Sequence, residues 1–410
     1  LETDGTVKAV TRTTGSAAVG TPVVFESATT TDCSATFDSN SNKVVIAYRD
    51  EGNSNYGTAV VGTVNGNSIS FGTVVVFETA QVEYVSATFD SSSNKVVIAY
   101  RDDGNSYYGT AIVGTVSGTS ISFGTAVVFE TGNSRYVEAT FDSNTNRVVI
   151  SYRDVANSNY GTAIVGTVSG TAISYGTAAV FESSASSYMT STFDTNSNVV
   201  VIAYTAVSDR GTAIVGTVTG GGTNSISFGT AVQYNLTAEY DKGAIFDSDS
   251  NKVVIAYADN GNSNYGTAVV GTVSGTDISF GSEVVYQSSP AFYNSATFDS
   301  SNNKAAITYK DEDSSNYGTL IFGTVSGTAI SFPDAKIVFE SATSSWISGT
   351  FDSDSNAVVI AYQDGGNASY GTGVVYGAPI TTDVGNEIGI AAEAGTDGNP
   401  LNVTILGGVN

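Results

Sequence analysis

An all-β fold, built from seven copies of one four-stranded antiparallel unit, is predicted by three observations. A Phe-Asp pair recurs at Phe37-Asp38, Phe89-Asp90, Phe141-Asp142, Phe193-Asp194, Phe246-Asp247, Phe298-Asp299 and Phe351-Asp352, with spacings of 52, 52, 52, 53, 52 and 53 residues. Each copy carries a short run, such as KVVIAYRD at 43–50, that is apolar on both alternating faces. The unit that runs out at the C-terminal end finds its missing strand at the N-terminal end. A period of about 50 residues marks a repeat architecture in which each unit buries its faces against its neighbours. Together these predict a seven-bladed β-propeller closed by its own N-terminal strand.

Residues 1–13 precede the repeat and read as a leader or linker, and the propeller is expected over 14–377. AVGTPVVFE at 18–26 matches the GTAVVFE that ends the other copies, so it is expected to complete the seventh unit. Within a unit, the first strand is short, as in 34–39. The second, at 43–50, places Val44, Ile46 and Tyr48 on one face and Val45 and Ala47 on the other, the pattern of a strand sandwiched between layers. The third follows at 56–64, then an Asn65-Gly66 turn leads into a fourth at 68–78. Asn-Gly between alternating apolar residues is a strong hairpin signal. The Gly72-Thr73 pair inside the fourth strand predicts a bulge or bend. Only six complete fourth strands follow the seven Phe-Asp pairs, and the seventh copy ends at GTGVVYGAPI, 371–380. Residues 378–410 lack the motif and read as a short β-rich extension with a strand at 402–406. Both ends are expected to emerge near the closing unit.

A rival β-solenoid would need much shorter coils. Serial independent sandwiches fail because one four-stranded sheet cannot bury two apolar faces alone.

Fifteen Lys and Arg stand against 39 Asp and Glu, a net charge of −24, which repels phosphate backbones and anionic lipid. Nucleic acid and membrane insertion are therefore not expected. There is no histidine and one cysteine, Cys33, so Ser-His and Cys-His nucleophile pairs are excluded, as is an internal disulfide. The chain opens at Leu1 without a signal-peptide pattern, the expectation for a processed or internal start.

The copies diverge most between the fourth strand and the next first strand. Five residues before each Phe stand Asp32, Tyr84, Tyr136, Tyr188, Asp241, Tyr293 and Trp346, with Tyr240 beside Asp241. Tyr84, Tyr136, Tyr188, Tyr240, Tyr293 and Trp346 are the candidate ligand-binding residues, expected to ring one face beside Arg49, Arg101 and Arg153. Aromatic faces beside charged groups suit sugars, through stacking on C–H faces and hydrogen bonds to hydroxyls. The competing expectation is that these rings pack between neighbouring units.

No cofactor, metal or catalytic residue is assigned. Asp247-Ser248-Asp249-Ser250-Asn251, echoed at 352–356, opens like a calcium loop but lacks the glycine and terminal glutamate that such a loop needs. Asx turns account for these residues more simply. Paired carboxylates could support glycoside hydrolysis. However, Asp50, Asp102, Asp154, Asp259, Asp311 and Asp364 recur copy by copy, as structural positions do, and the chain is expected not to be an enzyme.

The unit FDSNSNKVVIAYRD…YGTAVVGTV…ISFGTAVVFE resembles tandem repeats in large structural proteins of marine tailed phages and related bacterial surface proteins. GNEIGIAAEAGTDGNPLNVTILGGVN at 385–410 resembles a short module of phage tail fibres, and LETDGTVKAV resembles a segment that would follow one. The resemblance implies a non-enzymatic structural or adhesion module of a viral tail fibre or cell-surface fibre, extracellular or on a virion. Its partners would be adjacent fibre modules or subunits and a host receptor or surface glycan. A free-standing carbohydrate-binding lectin is the alternative.

Overall fold

The computed structural model describes the backbone of residues 6–207, 210–220, 224–237, 239–391 and 403–405, with side chains described over 15–379 within these ranges, residue 239 excepted. The chain is all-β, its only described helical turns being the short 3-10 turns Glu51–Asn53, Asp103–Asn105 and Asn260–Asn262.

The second copy shows how a unit is built. Lys95–Asp102 pairs antiparallel with the long strand Val75–Asp90 on one side and with Tyr108–Ser117 on the other. Tyr108–Ser117 in turn pairs with the short strand Ser120–Phe123 and with the beginning of Val127–Asp142. Val96, Val97, Ile98, Ala99 and Tyr100 have no solvent exposure, because the two faces of Lys95–Asp102 enter two different cores. Val96, Ile98 and Tyr100 pack with Val45, Ala47 and Val61 of the first copy, whereas Val97 and Ala99 pack with Val148 and Ile150 of the third. Each buried valine or isoleucine among them contributes roughly 1.5–3 kcal/mol. The same packing joins the ends of the chain: Val44, Ile46 and Tyr48 meet Ala357, Val359, Ala361 and Val375.

Val23 and Val24 of the N-terminal segment pair with Gly373 and Thr372 of the seventh copy. Hydrogen bonds also step from each first strand to the next: Ala87 N to Ser34 Oγ (2.9 Å), Ala139 N to Ser86 Oγ (3.0 Å) and Thr140 Oγ1 with Ser191 Oγ (2.5 Å). They continue as Ala244 N to Thr190 Oγ1 (3.2 Å), Tyr293 N to Asp241 Oδ2 (3.1 Å), Gly349 N to Ser295 Oγ (3.0 Å) and Ala35 N to Ser348 Oγ (3.0 Å).

Two expectations change. At five of the seven junctions the fourth strand of one copy and the first of the next are not separated by a loop. They run together as one 16-residue strand, as in Val75–Asp90, whose first part pairs with Tyr108–Ser117's counterpart Tyr56–Asn65 and whose second part pairs with Lys95–Asp102. The expected fourth strand instead breaks after Phe71 and resumes at Val75. At that break Gly72 N donates to Val61 O, and a Cβ on Gly72 would lie 1.8 Å from the Thr119 carbonyl oxygen of the next copy. Only glycine fits this approach, which recurs at Gly20, Gly124, Gly229 and Gly281.

The strand ladder is also not one unbroken closed sheet. The fourth copy forms a sheet of its own, because its long strand divides into Ala179–Ala185 and Ser187–Asp194, and Val232–Gln233 is separated from Glu239–Asp247. Both interruptions fall where the repeat sequence diverges most.

The leader and tail pair with each other: Thr6–Thr14 lies antiparallel to Ile380–Ala391, which pairs with Val403–Ile405. Residues 402 and 406 of the expected last strand lie outside the described residues.

A tie repeats where neighbouring copies meet. Tyr100 donates its hydroxyl to Glu78 Oε2 at 3.1 Å, as do Tyr48 to Glu26, Tyr152 to Glu130, Tyr204 to Glu182 and Tyr362 to Glu340. In the sixth copy Gln287 stands in place of the glutamate. It turns its amide to Asp311 at 2.6 Å, and the buried Tyr309 hydroxyl has no partner.

Candidate functional site

The recurring carboxylates serve the backbone. Asp38 Oδ1 accepts from the N–H groups of Asn40 and Ser41, and Asp247 does the same for Asp249 and Ser250, closing Asx turns. Asp50 and Asp102 accept from Asn53 N and Asn105 N at 3.1 Å and cap the 3-10 turns. Asn235, the first residue of an Asn-x-Thr sequon, is 5% exposed and donates to Glu283 at 2.8 Å.

The divergent aromatic positions occupy one backbone feature. Glu83 pairs with Arg101 and Ser86 with Ala99, so Tyr84 and Val85 together oppose Tyr100 alone, a β-bulge. Its first residue is left-handed: φ is 55° at Tyr84, 51° at Tyr136, 49° at Tyr188, 52° at Tyr293 and 51° at Trp346. Asp32 and Asp241 take the same place at 51° and 41°. Glycine usually fills such a site, and an L residue there costs about 1–2 kcal/mol. Tyr240 stands one residue before the bulge of its copy.

The bulges set the rings side by side across neighbouring copies. Tyr84 and Tyr136 have centroids 5.3 Å apart, Tyr136 and Tyr188 5.0 Å, Tyr188 and Tyr240 5.4 Å, and Tyr293 and Trp346 5.4 Å. All six candidates are half-buried, leaning on one another with part of each side chain open to solvent. They form two arcs rather than the full ring expected, because Asp32 and Asp241 occupy the positions between them. Burial pushes the Tyr188 hydroxyl up to about 12, and the neighbouring Tyr136 and Asp241 add to the shift.

Cations border the arcs. The Arg101 guanidinium lies 5.2 Å from the Tyr84 centroid, Arg153 lies 6.0 Å from Tyr136, and the Lys310 ammonium lies 5.4 Å from Tyr293. Arg101 also binds Glu83 at 2.7 Å and Asp103 at 2.6 Å. Arg49 sits between Asp32 at 3.7 Å and Glu83 at 3.6 Å, so the Asp32 gap is filled by a charged network. Burial pushes Asp32 up to about 6, against the pull of Arg49.

One residue further along, the first strands enclose a cavity of about 300 Å³ to which every copy contributes. Its lining includes Glu138 and Lys242, neither of which recurs at its position in another copy. The signal was present: the position three before each Phe reads Ser34, Ser86, Glu138, Thr190, Gly243, Ser295 and Ser348. Ser86 Oγ donates to Glu138 Oε2 at 3.2 Å, and Lys242 Nζ donates to Thr205 Oγ1 at 2.7 Å. Cys33 also lines the cavity, and burial pushes its thiol up to about 12.

No helix among the described residues is long and apolar enough to cross a membrane. No protein-family model and no curated protein matches the sequence. Among solved structures, the fold is similar to that of the BP39L lectin from Burkholderia pseudomallei, with a TM-score of 0.60 and 10% identity over 88% of this chain and 98% of that one. A protein of unknown function from Dyadobacter fermentans matches 88% of this chain and 99% of its own, at a TM-score of 0.49 and 11% identity. The likeness to the lectin is one of fold: an all-β, antiparallel, β-propeller-like repeat protein.

Proposed function

We propose that the seven units are the blades of a closed β-propeller and that the propeller is a non-enzymatic adhesion module binding glycan through its two aromatic arcs. The closure reading is supported by the hydrogen bonds that step through all seven first strands and return from Ala35 to Ser348. The binding reading is carried by one observation: five copies hold an aromatic residue in a left-handed bulge that glycine would fill without strain. Backbone strain of this kind gathers at functional sites. Half-open rings bordered by Arg101, Arg153 and Lys310 offer stacking faces and hydrogen-bond donors together. The resemblance of the repeat to phage and bacterial surface proteins supports reading the module as part of a viral tail fibre or cell-surface fibre, outside the cell or on a virion. A host receptor or surface glycan would lie at the arcs and adjacent fibre modules at the ends. The net charge of −24 disfavours nucleic acid as a partner.

The fold likeness to a lectin favours a second reading, a free-standing carbohydrate-binding protein. A glycan array probed with the intact chain and with a Tyr84→Ala/Tyr136→Ala double variant tests the shared core of both. Binding that disappears in the variant supports the arcs as the site. An array blank for the intact chain, or equal signals for both proteins, overturns it. Turnover of a bound polysaccharide would overturn the non-enzymatic part.

A further inference from the structure

The rung just before each bulge sets one residue of the long strand directly opposite one residue of the next strand, on the same face of the sheet. In the second copy that rung is Glu83 against Arg101, an ion pair at 2.7 Å. In the first, sixth and seventh copies it is Thr31 against Arg49, Phe292 against Lys310 and Ser345 against Gln363. The third copy alone sets two like charges there, Arg135 against Arg153. Like charges directly opposite one another are destabilising. The chain holds 15 Lys and Arg against 39 Asp and Glu, so two cations facing each other run against what its composition supplies.

Neither arginine has an ion-pair partner among the described residues. Arg135 is exposed, and Arg153 donates Nε to Asn159 Oδ1 at 3.0 Å, which leaves both its terminal nitrogens able to donate. The neighbouring carboxylates are engaged elsewhere. Asp154 accepts from Asn157 N at 3.0 Å, Glu138 takes the Ser86 hydroxyl inside the cavity, and Glu83 is shared between Arg49 and Arg101. Tyr136 follows Arg135 in sequence and lies 6.0 Å from the Arg153 guanidinium, with Tyr84 and Tyr188 on either side of it in the first arc. The second arc has no such pair, because its Lys310 is held by Glu312 at 3.4 Å. Two guanidinium forks beside an aromatic face are suited to an oxyanion carried on a ring that stacks.

We infer that Arg135 and Arg153 form an oxyanion site within the first aromatic arc, and that the glycan taken there carries a sulfate ester or a carboxylate on a sugar stacked against Tyr136. The anion supplies the negative charge that this rung lacks and that Glu83 supplies in the second copy. The inference rests on the glycan-binding reading above and deepens it, naming an anionic class of glycan and the arc that selects it.

The test is calorimetric titration of the intact chain with two matched pairs of tetrasaccharides: sulfated galactose and its desulfated form, and galacturonate and its neutral methyl ester. In at least one pair the anionic member should bind about tenfold or more tightly than the neutral one, the scale of a charge-assisted hydrogen bond. The pair that shows the gap tells sulfate from carboxylate. Arg135→Glu installs the Glu–Arg rung of the second copy, so it should melt at or above the parent's temperature while the gap closes. Lys95→Gln, which removes a positive charge at the far end of the strand that carries Arg101, should leave the gap open. A gap absent from both pairs overturns the inference, as does one that survives Arg135→Glu or that Lys95→Gln closes equally. If neutral and anionic forms bind alike and Tyr136→Ala abolishes both, the oxyanion site falls and the arc reading stands. If the glycan array described above is blank for the intact chain, both fall.

Discussion

Ala35 donates its backbone N–H to Ser348 Oγ at 3.0 Å across 313 residues of sequence, the same bond that Ala87 makes to Ser34 within adjoining copies. The contact between the last copy and the first therefore has the chemistry of the contacts between sequential copies. Ser348→Ala and Ser34→Ala should each leave a backbone N–H without its acceptor, at about 1–3 kcal/mol. Urea unfolding midpoints check this. The two losses should match, and a negligible loss for Ser348→Ala beside a real one for Ser34→Ala would show that the terminal seam is not held in solution.

Removing residues 1–26 takes away Val23, Val24, Phe25 and Glu26, which pair with Gly371–Gly373 or fill the core beside Tyr48. Tyr370–Gly377 would then present an unpaired, apolar edge, which invites pairing between molecules. Size-exclusion chromatography should show aggregation, and a melting temperature far below the parent's. A monomer with the parent's melting temperature would contradict the pairing.

Trp346→Gly separates ligand binding from packing. Glycine relieves the left-handed backbone at φ 51° while deleting a ring 5.4 Å from Tyr293. Each stacking contact is worth roughly 0.5–1.5 kcal/mol, about 2- to 10-fold in affinity. Glycan binding should fall by that factor while the melting temperature hardly moves. If stability drops by about 3–5 kcal/mol instead, the ring is a packing element.

Burial pushes Glu138 from its ordinary 4.5 up to about 7, against the Ser86 hydroxyl and the Ser191 backbone. A carboxyl raised on folding carries no penalty below its unfolded value, and the penalty grows until pH passes the folded one. Stability should therefore decline between pH 4.5 and 7. Glu138→Ser, the residue of four other copies, should be more stable than the parent at pH 8 and no more stable at pH 4. Asp32, raised to about 6, remains and leaves a shallower decline. Thermal melts across this range check the sign.

The unpartnered Tyr309 hydroxyl sets up a paired comparison. Tyr309→Phe removes a buried hydroxyl that bonds to nothing and should be neutral or stabilising. Tyr100→Phe removes the donor to Glu78 and should cost about 1–3 kcal/mol. Equal effects would mean that the repeated tie contributes nothing.

Much of the architecture was legible because a strand buried on both faces leaves an unmistakable run: Val44 to Tyr48 is apolar at every position, and such a run has to lie between two layers. The pairing of Val23 to Glu26 with the seventh copy was legible because the VVFE ending is shared with other copies. The bulge was not. A left-handed bulge residue is ordinarily announced by glycine, and here tyrosine and tryptophan hide it, so the segment read as a loop. The row of aromatics was visible as composition, but its division into two arcs depended on Asp32 and Asp241, whose role at the bulge only the backbone reveals. Glu138 and Lys242 escaped because comparing copies for what they share suppresses what only one of them carries.

The fit of Gly72 under the Thr119 carbonyl, repeated at the equivalent seams, also bears on how the chain finds its fold. Because those seams share one shape, a strand newly formed in one copy meets several partners that fit it equally well, and the folding search is degenerate. Pairings that skip a copy would be locally native and globally wrong, the kind of trap that slows folding and joins separate molecules by strand exchange. The interrupted strands around the fourth copy, with their distinct sequences at 184–187 and 234–237, would then act as addresses that remove the ambiguity. Replacing 184–187 by the corresponding residues of the second copy should slow refolding after dilution from denaturant and make its yield fall more steeply with protein concentration. Refolding as fast and as complete as the parent's would show that the divergence has no part in folding.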